Sequence, residues 1–88
     1  MDSVQEYYAK TAPSKAADLE KAVGDCDRDE LGRKLHKIAG SAGGFGYAEL
    51  SRVARQAELL AKKAPGTELD EELQCATAAV IGMLKKLG

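Results

Sequence analysis

The sequence is poor in several residue types, and each shortage argues against a class of structure or site. Its 88 residues include no Trp, one Phe, one His, two Pro and two Cys. Aromatic residues make up 5% and β-branched residues are few, so the composition favours helices over strands. Cys26 and Cys75 are far apart and form no CxxC motif, which predicts two reduced structural thiols rather than a metal site.

Long apolar runs and an excess of one charge are also missing. Thirteen basic residues balance fourteen acidic ones, so the chain has no basic surplus to hold a nucleic-acid backbone. No apolar run reaches the roughly 20 residues of a membrane span, and the N-terminal segment lacks the apolar core of a secretory signal. We therefore expect neither nucleic acid nor membrane as a partner, and a cytoplasmic location.

Apolar residues recur with helical spacing along most of the chain. The four stripes are Val4, Tyr8, Ala12, Ala16, Leu19 and Val23; Leu31, Leu35, Ile38, Ala42 and Phe45; Leu50, Val53, Ala57 and Leu60; and Leu69, Leu73, Ala76, Val80, Met83 and Leu87. Capping-box spacing marks two helix starts, at Asp27 with Glu30 and at Thr67 with Asp70. Pro13 interrupts the first stripe, which predicts a short helix followed by a kinked or separate one. Residues 1–88 are thus predicted to form one all-α domain, an antiparallel up-and-down four-helix bundle.

The only histidine is predicted to lie on the outer face of the second helix. At 100° per residue, His36 is about 140° from the centre of the apolar stripe, on a half shared by Gly32, Gly40 and Gly43. Each glycine inside a helix costs about 0.5–1 kcal/mol relative to Ala, without benefit to the helix itself. A bare surface, however, lets another protein approach the imidazole. We interpret the three glycines as a docking platform, although an ordinary surface histidine and a simple helix end near Gly43 remain alternatives.

Glu58 is the residue predicted to lie level with His36. This follows if the second and third helices form an antiparallel hairpin that turns near residue 47. A carboxylate there can accept a hydrogen bond from Nδ1 of the ring and leave the Nε2 lone pair exposed. The alternative is a solvated Glu58 that pairs with Lys62 one turn later.

An exposed, oriented imidazole suits reversible phosphorylation. Imidazole is largely neutral and nucleophilic at pH 7, and phosphoryl transfer needs mainly positioning and charge compensation. Arg33, Lys37 and Lys62 are the candidate cations for the phosphoryl oxygens. Leu59 is predicted to be an exposed aliphatic residue of the docking surface. The sequence has no cluster of carboxylates, Cys or His around His36, so it does not predict a hydrolase or a metal enzyme.

The stretch HKIAGSAGGFGYAEL, residues 36–50, resembles the HxxKGxxxxxG signature of the histidine phosphotransfer (HPt) domain family, which includes the phosphoacceptor domain of chemotaxis kinases. The resemblance implies a four-helix bundle with His36 as phosphoacceptor and Gly40 keeping its surroundings clear. By resemblance to the chemotaxis branch, Glu58 is at the spacing of a Glu that hydrogen-bonds the ring, a position that Gln commonly occupies elsewhere in the family. The signature Lys is replaced by Ala39, and a Lys occurs at position 37 instead.

The resemblance implies a phosphocarrier without an ATP-binding site of its own. Its partners would be receiver domains of response regulators and hybrid histidine kinases, and the receiver would supply the Mg²⁺, so no cofactor or metal is expected on this chain. We expect a monomer, and the initial Met and short length favour a free-standing module over a piece of a larger kinase. The alternative, which Ala39 favours, is a phosphorylation-silent helical adaptor that binds receiver domains without transfer.

Overall fold

The structure, a computed structural model, describes residues 3–63 and 71–87. These residues form four α-helices and no strand: α1 (Ser3–Gly24), α2 (Arg28–Gly44), α3 (Ala48–Lys62) and α4 (Glu71–Leu87). The predicted all-α, antiparallel four-helix bundle is therefore confirmed. The predicted capping box at Thr67 and Asp70 lies outside the described residues.

The helices form a ring in which each packs against its two neighbours. In the described part of the chain α2 packs against α1 and α3, and α4 against α1 and α3, while the backbones of the diagonal pairs stay farther apart. The Tyr47 hydroxyl, just before α3, donates a 2.9 Å hydrogen bond to the Gln5 carbonyl near the start of α1. The Ser51 hydroxyl, early in α3, donates a 2.6 Å bond to the Ala39 carbonyl, late in α2. The end of α2 thus lies beside the start of α1 and beside the start of α3, as antiparallel neighbours require.

The core contains few large side chains and many alanines. The largest fully buried residues are Tyr8, Leu19, Leu31, Leu35, Leu73, Thr77, Val80 and Leu84. Buried alanines fill the spaces between them on α1, α2 and α3. Small side chains let helix backbones approach closely, and burial of each large aliphatic side chain stabilises the bundle by about 1.5–3 kcal/mol. This packing fixes the rotation of α2 and α3 and hence which of their residues face outward.

The N-terminal helix is continuous, so the predicted division into two separate helices at Pro13 is wrong. α1 runs for 22 residues with Pro13 inside it. Proline inside a helix costs about 3 kcal/mol because it removes one backbone hydrogen bond and crowds the previous turn. Pro13 lies on the exposed side of α1, whereas Ala12 and Ala16 on either side of it are buried. Burial of the apolar stripe before and after Pro13, from Tyr8 to Leu19, outweighs this local cost.

The first two connections are tight turns of the same type. After α1, the Asp27 amide donates to the Ala22 carbonyl and the Cys26 amide to the Val23 carbonyl. After α2, the Tyr47 amide donates to Ala42 and the Gly46 amide to Gly43. Both are Schellman motifs, which need one residue in the left-handed region. Gly46 fills this place after α2 with φ +90°, but Cys26 fills it after α1 with φ 54°.

The side chain of Asp27 caps α2 as its spacing predicts. Asp27 Oδ1 accepts a 3.1 Å hydrogen bond from the Glu30 amide. Both cysteines have free thiols and are exposed, so neither is a core residue. Within residues 3–63 and 71–87, no helix combines the length and apolar character that crossing a bilayer requires.

Candidate functional site

His36 lies on the outer face of α2, where its side chain is 67% exposed. Leu35 before it and Ile38 after it are buried in the core. Because these two residues fix the rotation of α2, the imidazole projects away from the core into solvent. The structure therefore places His36 where the helical periodicity predicts it.

Glu58 is the partner of this imidazole across the hairpin. His36 Nδ1 lies 2.7 Å from Glu58 Oε2. The Glu58 side chain is only 5% exposed, against 67% for the ring, so a buried carboxylate supports an exposed imidazole. Ala57 and Ala61 on the same face of α3 are buried against the neighbouring helices, and this packing brings Glu58 against α2.

Lys62 binds the same carboxylate oxygen as His36. Its Nζ lies 2.7 Å from Glu58 Oε2, one helical turn after Glu58. Glu58 therefore makes both predicted contacts, because one oxygen accepts from the ring and from the lysine, but its carboxylate is buried and not solvated as the second alternative required. Burial by itself raises the pKa of the Glu58 carboxyl, but the hydrogen bonds from Lys62 and His36 and their charges outweigh burial and hold that pKa below its ordinary value.

This contact determines which ring nitrogen is free. An ionised carboxylate only accepts hydrogen bonds, so Nδ1 must carry the proton that it donates to Glu58. In the neutral ring, the lone pair then belongs to Nε2, on the side of the ring away from Glu58. The carboxylate also stabilises any positive charge that develops on the ring. The arrangement is that of a nucleophile at Nε2.

Several cations surround the ring in an open depression of about 400 Å³. Its lining residues are Glu30, Arg33, Lys34, His36, Lys37 and Lys62. Arg33 and Lys34 both lie near Glu30, at 3.7 and 3.5 Å. In the described part of the chain Lys37 has no ion pair. The structure thus brings all three predicted cations, Arg33, Lys37 and Lys62, to the rim of one depression that contains His36.

The three predicted docking glycines have different surroundings. A Cβ at Gly40 would meet nothing within 4 Å, so this position, one turn after His36, borders open space. A Cβ at Gly43 would lie 3.3 Å from Ser51 Oγ, which gives this exposed glycine a structural reason as well. The prediction that Gly32 belongs to the outer surface is wrong. Gly32 is buried, and a Cβ there would lie 3.4 Å from the Ala61 side chain, because α3 packs over this flank of α2.

Leu59 is exposed, at 62%, as the helical spacing predicts. It follows Glu58 on α3 but is not among the described residues that line the depression around His36. Tyr7 on α1 is the other exposed large apolar side chain in the described part of the chain. The sequence pattern gives no reason to single out Tyr7, because its neighbour Tyr8 fills the core position.

Arg28 is a positioning residue that the sequence analysis missed. It is 6% exposed, and its guanidinium donates to the carbonyls of Ala61 and Leu60 at 2.9 and 2.7 Å. These carbonyls belong to the last turn of α3, where the usual amide partners four residues later are missing, and the Leu60 carbonyl accepts only a long 3.3 Å bond from the Lys63 amide besides. Arg28 therefore fixes the end of α3, next to Lys62. No local pattern reveals such a contact, since its partners are more than thirty positions away in sequence.

No group of three or more His, Cys, Asp or Glu side chains in residues 3–63 and 71–87 is placed to hold a metal ion. One exposed imidazole, oriented by a buried carboxylate and bordered by cations, can accept and release an electrophilic group at Nε2. A four-helix bundle with this site belongs to the class of group-carrier domains.

Comparison with protein families agrees with this class. The family model described as Hpt domain matches residues 3–87, which is nearly the whole chain. The chain therefore belongs to the Hpt domain family, whose members take part in histidine phosphotransfer in two-component signalling and interact with receiver domains. The searches of curated proteins and of solved structures gave no match to the chain.

Proposed function

We propose that the chain is a phosphocarrier that exchanges a phosphoryl group between His36 and the aspartate of a receiver domain. The observation that supports this most directly is the 2.7 Å contact between His36 Nδ1 and the buried Glu58, which frees Nε2 on an exposed ring. Family membership indicates the kind of reaction, and the contact indicates Nε2 as the atom that accepts the phosphoryl group.

The proposed transfer is a displacement at phosphorus. Nε2 of the neutral ring attacks the phosphorus of the receiver's aspartyl phosphate, a bond forms between Nε2 and phosphorus, and the bond from phosphorus to the aspartate oxygen breaks. The aspartate leaves as a carboxylate. The ring, which keeps its Nδ1 proton, gains positive charge, and the Glu58 carboxylate compensates it. Transfer to a second receiver is the reverse of these events.

Lys37, Arg33 and Lys62 are proposed to compensate the charge of the phosphoryl oxygens. Lys37 is the most available of the three, since no carboxylate in the described residues neutralises it. Arg33 is 72% exposed and only loosely paired with Glu30, so it can turn toward a phosphoryl group. Lys62 is bound to Glu58 and therefore acts on the ring mainly through that carboxylate.

The proposal also includes the setting of the reaction. The receiver domain supplies the Mg²⁺, and this chain contributes no ATP-binding site, metal or cofactor of its own. The partners are receiver domains of response regulators and hybrid histidine kinases, not nucleic acid or membrane. The carrier acts as a cytoplasmic monomer that forms small, transient interfaces through surfaces including Gly40, Gly43 and Leu59.

The test is transfer of radiolabelled phosphate from phosphorylated receiver domains. We expect the wild-type chain to acquire label that is labile in acid and stable in alkali, and His36→Gln to acquire none. Lys63→Gln, a change at an exposed cation outside the depression, is the matched control and should acquire label as the wild type does. Label that persists in His36→Gln would place the phosphoryl group on another residue and refute the proposal.

The second candidate is an adaptor that binds receiver domains without accepting phosphate. Ala39 favours it, since the family's signature lysine is missing and the residue in its place is only 2% exposed. A chain that binds several phosphorylated receivers in solution yet acquires no label from any of them would be this adaptor. A chain that acquires label on His36 would be the carrier, with the rim cations in place of the signature lysine.

A further inference from the structure

A groove between α1 and α2 lies beside the candidate phosphoryl site. It has a volume of about 480 Å³ and contains the basic residues Lys10, Lys15, Lys34 and Lys37 but one acidic residue, Asp18. We call it the α1–α2 groove. Lys34 and Lys37 also line the depression around His36, so the two surfaces are continuous.

These two surfaces carry an excess of positive charge. Six of the thirteen basic residues line them, against two of the fourteen acidic residues. The formal charge of the lining residues is therefore +4, or +3 when the buried Glu58 beneath Lys62 is included, in a chain whose net charge is −1. The rest of the chain is correspondingly acidic. Such a separation of charge produces a directed field although the net charge is close to zero.

The cations of the groove are available to an external partner. In the described part of the chain, Lys10, Lys15 and Lys37 form no ion pair with a carboxylate. Lys15 is held in place by neutral groups, because its Nζ donates to Thr11 Oγ1 at 2.7 Å and lies 4.7 Å from the centre of the Tyr8 ring. Tyr8 is buried and its hydroxyl bonds Ser41 on α2 at 3.0 Å, so α1 and α2 are joined beneath the groove.

We propose that the α1–α2 groove docks an acidic segment of the receiver domain, next to the aspartate that exchanges phosphate with His36. This inference rests on the proposed function. A receiver that holds Mg²⁺ and an aspartyl phosphate must have carboxylates around that site, because Mg²⁺ is bound through carboxylates and phosphate oxygens. When the phosphoaspartate faces His36, acidic groups beside it face the groove. Lys10 and Lys15 on α1 then accelerate docking and orient the receiver without touching the reacting atoms.

The test measures transfer from a phosphorylated receiver domain to Lys10→Glu/Lys15→Glu, at 50 and 300 mM NaCl. The matched control is Lys21→Glu/Lys86→Glu, which changes the net charge equally at exposed positions outside both surfaces. We expect the groove variant to lose at least about tenfold in the second-order rate constant at low salt and the control to stay within about twofold. At high salt the difference should shrink several-fold, whereas the rate at saturating receiver should change little. Lys10→Gln/Lys15→Gln should give an intermediate loss. Because this variant adds no acidic side chain, it controls for misfolding caused by the two glutamates.

Phosphorylation of His36 by phosphoramidate, a small donor that needs no docking surface, separates the two proposals. If phosphoramidate labels every variant and the groove variant also matches its control in transfer from the receiver, the docking site is refuted and the carrier stands. If neither donor labels the wild-type chain, the carrier function is refuted and the docking proposal falls with it. Loss of receiver transfer alone, with normal labelling by phosphoramidate, supports the groove as the docking site.

Discussion

Glu58 determines the chemistry of the site at the scale of single residues. Its carboxylate is buried, ionised and bonded through one oxygen to both His36 and Lys62. Its charge matters more than its shape in the proposed transfer, because the ring becomes positive when Nε2 binds phosphorus. A neutral side chain of the same size can still accept the hydrogen bond from Nδ1–H but cannot compensate this charge.

We therefore expect Glu58→Gln to slow transfer from a phosphorylated receiver by about tenfold or more, a loss typical for the partner that orients a reactive histidine. The helical circular dichroism spectrum should be unchanged, since the substitution keeps the volume. The control is Glu49→Gln on the exposed side of α3, which should leave the rate unchanged. Equal transfer rates for Glu58→Gln and wild type would show that the charge of Glu58 has no role in the transfer.

The lowered pKa of Glu58 also predicts how stability depends on pH. A carboxyl whose pKa is lower in the folded chain than in the unfolded chain stabilises the fold above its unfolded value, and this stabilisation is lost as pH falls through the folded value. The free energy of unfolding of the wild type should therefore decrease, relative to that of Glu58→Gln, as the pH falls from 6 toward 3. Urea denaturation of both proteins at several pH values measures this difference. A difference that stays constant over this range would contradict the lowered pKa.

The site residues could be predicted from the sequence only in part. Helical periodicity and a hairpin register are sufficient to place His36 outside and Glu58 level with it. They are insufficient for Gly32, because the angle at which α3 crosses α2 decides which flank is covered, and this angle depends on small residues such as Ala61. The role of Arg28 does not follow from local patterns either, because its partners come from the far end of another helix.

The helices themselves follow closely from local patterns, and their ends show where such patterns stop. Asp27 caps α2 and Gly46 ends it as their residue types predict. Pro13 shows the opposite, because a residue that breaks isolated helices is accepted when tertiary burial holds both sides of it. Cys26 is a further exception, as it adopts a left-handed conformation in which glycine is normally found.

We expect Cys26→Gly to raise the free energy of unfolding by about 1 kcal/mol, because glycine adopts positive φ without the steric penalty of a Cβ. The matched control is Cys75→Gly, which places glycine inside α4 at an exposed helical position and should lower stability by a few tenths of a kcal/mol. Both are compared with wild type by urea denaturation under reducing conditions. A stability change of the same sign in the two variants would show that the turn conformation is not the cause.

At the scale of the whole molecule, two requirements compete on one surface. The bundle would gain stability from good helix formers everywhere on its exposed faces, whereas a carrier must leave room for its partner around the phosphoacceptor. Gly40 and Gly82 allow these requirements to be separated. Both are exposed glycines inside helices, on α2 and α4, and a Cβ at either would meet nothing within 4 Å.

We predict that Gly40→Leu and Gly82→Leu each raise the free energy of unfolding by about 0.5–1 kcal/mol, since leucine is the better helix former and neither position is crowded. Only Gly40→Leu should slow transfer from a phosphorylated receiver, because its side chain lies one turn from His36 and obstructs the partner. Phosphorylation by phosphoramidate should stay close to wild type in both variants, because a small donor does not require the open surface. If Gly40→Leu transferred as fast as Gly82→Leu, the open surface beside His36 would have no role in docking, and the stability that Gly40 forgoes would need another explanation.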